Sequence, residues 1–192
     1  EVLIYKMACN VKKVNTIILS GEGADELFFG YDRIFTWAQN AASWDIEEFS
    51  KLYSYGSNLD IEIVEDAISP FIHLESPIKI VSHFFQLAHL KGLLRRLDNS
   101  TMLSSVEARV PFVDSHKLIE RLAGVPFNYR MSNGVVKAPL KRVFADQINP
   151  AIIKRKKVGF PVPLNEIFKD SHNNKNPMDN WFDFNLECLL VN

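Results

Sequence analysis

Apolar residues along this chain form one short run and a series of stripes spaced three or four apart, the pattern of a helical protein with little sheet. The run is Val14 to Leu19 (VNTIIL), partly β-branched and bounded by a polar loop before it and Ser20-Gly21 after it; it predicts one buried strand of the parallel type. Beyond it the period turns helical, over Ala24 to Phe29, Arg33 to Ala42, Ile46 to Tyr55 with Ser43 as cap, and Ile61 to Ile68 with Asp60 as cap. The clearest stripe opens with Ser76 as cap and Pro77 in the first turn. It then places Ile80, Phe84, Leu87, Leu90, Leu94 and Leu97 on one face, with Lys79, Ser82, Gln86 and Lys91 off it. A helix of about 20 residues spanning the core is expected there. Met102 to Ala108 and Ser115 to Leu122 read as two more helices, with Pro111-Phe112 breaking the chain between them. Pro139 to Gln147 and Pro150 to Lys154 follow, then a polar loose loop over 170–180 and a tail, 181–192, able to dock as a helix.

One clear strand and about nine helices make the class α/β, predominantly helical. A lone strand leaves its backbone groups unpaired, so partner strands upstream of Glu1 are expected. The start points the same way, because Val2 to Ala8 is an apolar segment with no capping residue ahead of it.

Composition excludes some classes. With 192 residues, 22 Lys+Arg against 23 Asp+Glu and 47% hydrophobic content, the chain is neither disordered nor of low complexity. No apolar stretch approaches the roughly 18 residues of a membrane span and no signal-peptide layout begins the chain, so a soluble, cytoplasmic protein is expected. Cys9 and Cys188 are too few for a disulfide framework or a zinc site and read as buried thiols. The five histidines, His73, His83, His89, His116 and His172, show no metal-ligand spacing. The net charge of −1 hides an asymmetry: residues 137–157 hold seven Lys/Arg and one Asp.

Three constellations could carry chemistry. Leu19-Ser20-Gly21-Glu22-Gly23-Ala24-Asp25-Glu26 is a strand running into a glycine-punctuated turn and a helix, a place where backbone N–H groups face a nucleotide crevice. Its three acids would repel a bare triphosphate, so they call for a divalent cation or a substrate ammonium; the plain alternative is acids complementing a helix dipole. The second, Arg96 and Asp98 with Glu107, Arg109 and Asp114, reads as a buried ion-pair network, with Glu107 and Arg109 diverging on a helix. The third places Lys137 just ahead of Pro139, where a cation opposes the dipole of the following helix unless an anion fills the gap. Aromatic residues are sparse around the basic stretch, which favours a small anionic ligand over nucleic acid.

In this order and spacing, these segments strongly resemble the synthetase domain of the asparagine synthetase family. Leu19 to Tyr31 resembles its LSG[ED]G[AS]DE[LV]FxGY signature, Asp98 to Asp114 its S[LV]EARVPF[LV]D segment, Lys137, Leu140 and Arg142 its Kxx[LI][RK] stretch, and Arg155 to Pro163 its RKKxGFxxP run. The resemblance covers about residues 14–165. It implies that 1–169 is the C-terminal part of an adenine-nucleotide-hydrolase-like (PP-loop ATP pyrophosphatase) domain. The implied activity is ATP-dependent amide formation: a carboxylate such as aspartate attacks the α-phosphate of Mg-ATP, and ammonia or an amine, drawn from glutamine in the family, opens the adenylate.

By position, the resemblance implies that Ser20 and Gly21 touch the nucleotide, Glu22 and Lys137 are catalytic, and Asp25 binds Mg²⁺. The acidic turn and Lys137 would then lie on opposite sides of one magnesium-bound triphosphate. The SGGxDS loop and the glutaminase domain of the family are not matched here, so the chain alone is expected to bind ATP poorly and to be inactive. Phe29 replaces a commoner Gly and is expected to narrow the space beside the loop. Two alternatives are a non-catalytic subunit completing a partner's nucleotide site and, more remotely, an RNA-binding basic module.

Overall fold

The computed structural model describes residues 2–55, 61–132, 134–155, 162–170 and 175–190, with side chains up to 187. The expectations on Asp60, on Lys156 to Pro161 and on the Cys188 thiol lie outside the described residues. In chain order the elements are α1 (Val2–Val11), β1 (Ile17–Leu19), α2 (Ala24–Phe28), α3 (Asp32–Asn40), α4 (Ile46–Tyr53) and α5 (Ile61–Ile68). A 3₁₀ stretch (Ser69–Leu74) leads to α6 (Pro77–Phe84), a π turn (Phe85–His89) and α7 (Leu90–Met102). Then come β2 (Glu107–Arg109), α8 (Pro111–Asp114), α9 (His116–Ala123), α10 (Phe127–Arg130), α11 (Ala138–Val143), α12 (Pro150–Lys154), α13 (Leu164–Ile167) and α14 (Pro177–Leu190). The helical pieces outnumber the nine expected because further short ones form: Pro111 starts α8 instead of only breaking the chain, and α10 and α13 add one turn each, while Pro150 opens α12 as expected. α14 opens at Pro177, inside the stretch expected to be a loop.

The strand prediction needs two corrections. β1 has a partner: it pairs parallel with β2 in the register Ile17↔Glu107, Ile18↔Ala108, Leu19↔Arg109. The helix expected over Met102 to Ala108 therefore does not form; α7 ends at Met102, the chain reverses through Ser105 at φ 53°, and Val106 is fully buried as the strand begins. Nor is β1 buried, since Ile17 and Leu19 are 52% and 76% exposed. A two-stranded ladder pairs each strand on one edge only, and no described residue covers the outer side chains of β1.

The long helix is a rod of two α-helices joined through the π turn, running from Pro77 to Met102. A π turn holds an extra residue, so the buried face shifts as it passes. Ile80 and Phe84 are buried before it and Leu90 and Leu97 after it, whereas Leu87, expected on the stripe, is exposed and Phe85 takes its place in the core. Around this rod pack α3, α4 and α5, enclosing Phe29, Phe35, Phe49, Ile68, Ile80, Val81 and Phe85 at or near zero exposure. Each such side chain contributes roughly 1.5–3 kcal/mol through burial. The cap of α4 is Asp45, whose Oδ1 accepts from the Glu48 amide at 3.0 Å, and not Ser43. Among the described residues no helix is long and apolar enough to cross a membrane.

Candidate functional site

The parallel ladder runs one residue past β1: the Ser20 amide donates to the Arg109 carbonyl at 2.8 Å, fixing Ser20 at the carboxyl end of the sheet. The turn that follows is closed by the Glu22 amide on Ser20 Oγ (3.3 Å) and the Ala24 amide on the Gly21 carbonyl (3.2 Å). Gly23 is demanded by the fold, because it sits at φ 89° and a Cβ there would be driven into the Val113 side chain. Gly21 is different: a Cβ built on it meets nothing within 4 Å, so the space beside Ser20 and Gly21 is open to a ligand.

Across this turn stands Lys137. Its backbone is left-handed, at φ 54° and ψ 34°, and its amide donates to the Phe28 carbonyl at 3.1 Å, tying the approach to α11 onto the end of α2. From that anchor Lys137 Nζ reaches Asp25 Oδ1 at 3.0 Å. Sequence reading placed the two on opposite sides of a gap; they are in direct contact. Lys137 is the N-cap residue of α11, just ahead of Pro139 as expected, and the anion beside it is the Asp25 carboxylate. Gly30 makes the contact possible. Its amide bonds the Asp25 carbonyl at 2.8 Å, and a Cβ on it would come within 2.6 Å of Asp25 Cγ and 2.5 Å of Lys137 Cε. That glycine stands in the FxGY part of the signature, a signal to which sequence reading gave no role.

The three acids of the turn separate. Glu22 faces Arg96, whose guanidinium donates to its Oε1 at 3.4 Å. Glu26 turns inward and is 1% exposed; its Oε1 accepts from the Tyr31 hydroxyl at 2.5 Å, and its shielded Oε2 has no partner among the described residues. Burial pushes the Glu26 carboxyl above the usual range, opposed by the Tyr31 hydrogen bond, and burial with the Glu26 contact pushes Tyr31 up. Two acids, Glu22 and Asp25, therefore face two cations of the chain itself, Arg96 and Lys137. An external cation is not needed to reconcile their charge.

The second constellation is not a buried network. Glu107 and Arg109 lie on one strand face and pair at 3.0 Å, about half exposed, because residues two apart share a face in a strand where they would diverge on a helix. Asp98 and Asp114 are exposed, and Arg96 belongs to the turn. Phe29 does not narrow the space beside the loop: at φ 57°, a conformation that favours glycine, its ring is fully buried and stacked 4.1 Å from Phe35. Cys9 is half-buried, its Sγ 3.1 Å from Ser104 Oγ. The basic stretch lines an open groove of about 670 Å³ with Lys141, Arg142, Lys154 and Arg155.

Among the described residues no group of three or more His, Cys, Asp or Glu side chains could hold a metal ion alone. Asp25, beside the open face of the turn, supplies one hard oxygen donor. Mg²⁺ is commonly held by one or two carboxylates together with substrate phosphates and water, so this donor set fits a magnesium ion shared with a nucleotide.

The family model described as Asparagine synthase matches residues 1–176. Asparagine synthetase [glutamine-hydrolyzing] 1 of Bacillus subtilis (strain 168) is 26% identical over 226 residues, covering 93% of this chain and 34% of that protein. Asparagine synthetase [glutamine-hydrolyzing] 3 of the same organism is 29% identical over 167 residues, covering 79% of this chain and 27% of that protein. The chain thus spans about a third or less of the length of these curated relatives. No solved structure matches it significantly. The matched region contains the glycine turn, the Asp25–Lys137 pair and the Glu22–Arg96 pair, and the chain belongs to the asparagine synthase family.

Proposed function

We propose that this chain supplies one wall of the adenylating site of an ATP-dependent amide ligase, in which a carboxylate is activated as its adenylate and opened by ammonia or an amine, with release of pyrophosphate and AMP. One observation carries the reading: Lys137 and Asp25, 112 positions apart, meet at 3.0 Å beside an open glycine turn at the carboxyl end of a parallel sheet. That is where α/β sheets bind nucleotides. The phosphate-loop half of a PP-loop fold would complete the site from outside this sequence.

In this reading Ser20 and Gly21 meet the nucleotide along the open face. Asp25 would hold Mg²⁺, which neutralises phosphate charge when bound. Lys137 swings its flexible stem from Asp25 toward the phosphates and neutralises charge that develops on the leaving pyrophosphate. Glu22 orients the attacking amine and takes its proton, with Arg96 fixing the carboxylate's direction. The acceptor is a small carboxylate, aspartate being the one the relatives' names suggest, and glutamine is the nitrogen source those names suggest. Alone, these 192 residues are expected to bind ATP poorly and turn over nothing, because they contain no SGGxDS phosphate loop.

The test is carboxylate-dependent ATP–pyrophosphate exchange by the full-length gene product. Glu22→Gln and Lys137→Ala are each expected to lose about 100-fold or more in rate while staying folded, in line with the loss of one transition-state contact. Parental rates in both variants overturn the assignment. No exchange in the parent protein favours a non-catalytic subunit instead.

A further inference from the structure

Behind the acidic turn, four side chains, of which Glu26 is buried and the other three half-buried, form one hydrogen-bonded chain. Tyr53, in the last turn of α4, places its hydroxyl 2.9 Å from His89 Nδ1. His89 Nε2 lies 3.5 Å from the Tyr31 hydroxyl, and that hydroxyl donates to Glu26 Oε1 at 2.5 Å. The Tyr31 hydroxyl donates to Glu26 Oε1, which leaves its oxygen to accept in turn from His89 Nε2–H. Nδ1 of the neutral ring then accepts from the Tyr53 hydroxyl. Every N–H and O–H along the chain points toward Glu26, an arrangement in which each bond polarises the next.

His89 is the last residue of the π turn, and a π turn costs hydrogen-bond quality within a helix. In return, the extra residue rotates His89 between the rings of Tyr31 and Tyr53, which meet it edge-on at 5.7 and 5.6 Å, with Phe85 tilted against it at 4.7 Å. Burial, reinforced by the Arg96 charge, keeps the ring neutral. Its neighbour in sequence to the active turn is indirect: Glu26 adjoins Asp25, and Arg96, two turns further along α7, contacts Glu22.

We propose that His89 is a positioning residue for the acidic turn, acting through Tyr31 and Glu26 to hold α2, and so Asp25, at a fixed depth against Lys137. The role rests on the adenylating-site reading for its catalytic consequence, but its structural consequence does not. Tyr31→Phe removes the one hydrogen bond shown for the Glu26 side chain, whereas His89→Leu leaves that bond in place and removes the contact that orients the Tyr31 hydroxyl; in both, Asp25 no longer meets Lys137 in a single geometry. The expected loss is in the rate of the chemical step, not in nucleotide affinity.

The test uses the full-length gene product with His89→Leu, His89→Gln, Tyr31→Phe and the Tyr31→Phe/His89→Leu double variant. Hydrogen–deuterium exchange of peptides covering 24–31 and the kinetics of carboxylate-dependent ATP–pyrophosphate exchange are measured for each. His89→Leu and Tyr31→Phe are each expected to lower kcat about 10-fold or more with the ATP KM unchanged, and to speed deuterium uptake in 24–31 about 5-fold. His89→Gln, whose carboxamide both donates and accepts, recovers to within about 3-fold of the parent, and the double variant is no worse than the poorer single one. Equal impairment of His89→Leu and His89→Gln reduces His89 to packing and overturns the proposal, as does parental uptake in 24–31. Should His89→Leu not fold, Tyr31→Phe, which removes one oxygen, decides by itself. If the parent protein shows no exchange activity, the ligase reading fails and the deuterium uptake still judges the relay.

Discussion

Replacing Gly30 by Ala separates stability from function at the Asp25–Lys137 contact. The new methyl would overlap the Asp25 carboxylate and come within 2.5 Å of Lys137 Cε, so both side chains must leave. Overpacking a rigid site costs about 1–3 kcal/mol, but here the obstructing atoms belong to side chains that can rotate toward open space, which puts the cost near the lower end. The lost ion pair, about one-quarter exposed on each partner, is worth only about 0.2–1 kcal/mol. Gly30 is not among the residues of positive φ, so alanine brings no backbone strain and instead stiffens the unfolded chain by about 0.4–1 kcal/mol. The net destabilisation is therefore about 1 kcal/mol, or a Tm lower by roughly 2–4 °C for a chain of this size. Carboxylate-dependent ATP–pyrophosphate exchange by the full-length protein is expected to fall about 100-fold, because Asp25 and Lys137 no longer share a position. Thermal unfolding beside initial-rate kinetics measures both. Parental activity in a folded Gly30→Ala protein refutes the reasoning; so does a loss of stability above about 3 kcal/mol, which would show the glycine to be structural first.

At Gly23, where φ is 89° and Val113 blocks any Cβ, alanine is expected to cost about 2 kcal/mol or more, read as a fall in Tm larger than that of Gly30→Ala; equal melting of the two variants counts against the distinction. Burial, then the Arg96 charge, holds His89 at about 4 against an ordinary 6.5. The unfolded chain thus takes up a proton where the folded one does not: stability is full above about pH 6.5 and declines as pH falls toward 4, by at most about 3 kcal/mol, and by less because His89 lines an open groove of about 400 Å³ with Tyr53, Gly92 and Arg96 that admits water. Denaturant midpoints from pH 7 to 4 should show this slope flattened in His89→Gln, and an unchanged slope rules it out.

Most helices were legible because their apolar spacing is local information: α3, α4, α5 and α9 fall where the stripes put them. β2 was not, because three residues, Glu107–Arg109, carry no period of their own and become a strand only through a partner 90 positions earlier. The π turn was hidden for a similar reason, since Leu87 continues the stripe as well as Phe85 does, and only the aromatic cage around His89 decides between them. At the turn, the charge pattern did announce that the acids needed a positive neighbour and Lys137 a negative one. What it could not give was that they satisfy each other, or that Glu26 leaves the group, a choice made by Tyr31 five residues on.

The pairing of Ile17 with Glu107 also bears on the order of assembly. Closing so long a segment pays its chain entropy before the short ladder returns any bonding, and contacts of that sequence separation form late. During synthesis the aromatic core around α3 to α7 can condense from nearby segments, while Ser20 has no carbonyl to dock on until Arg109 has left the ribosome. The glycine turn is therefore among the last parts to settle, and a nascent chain stalled short of that point would be compact without that turn in place.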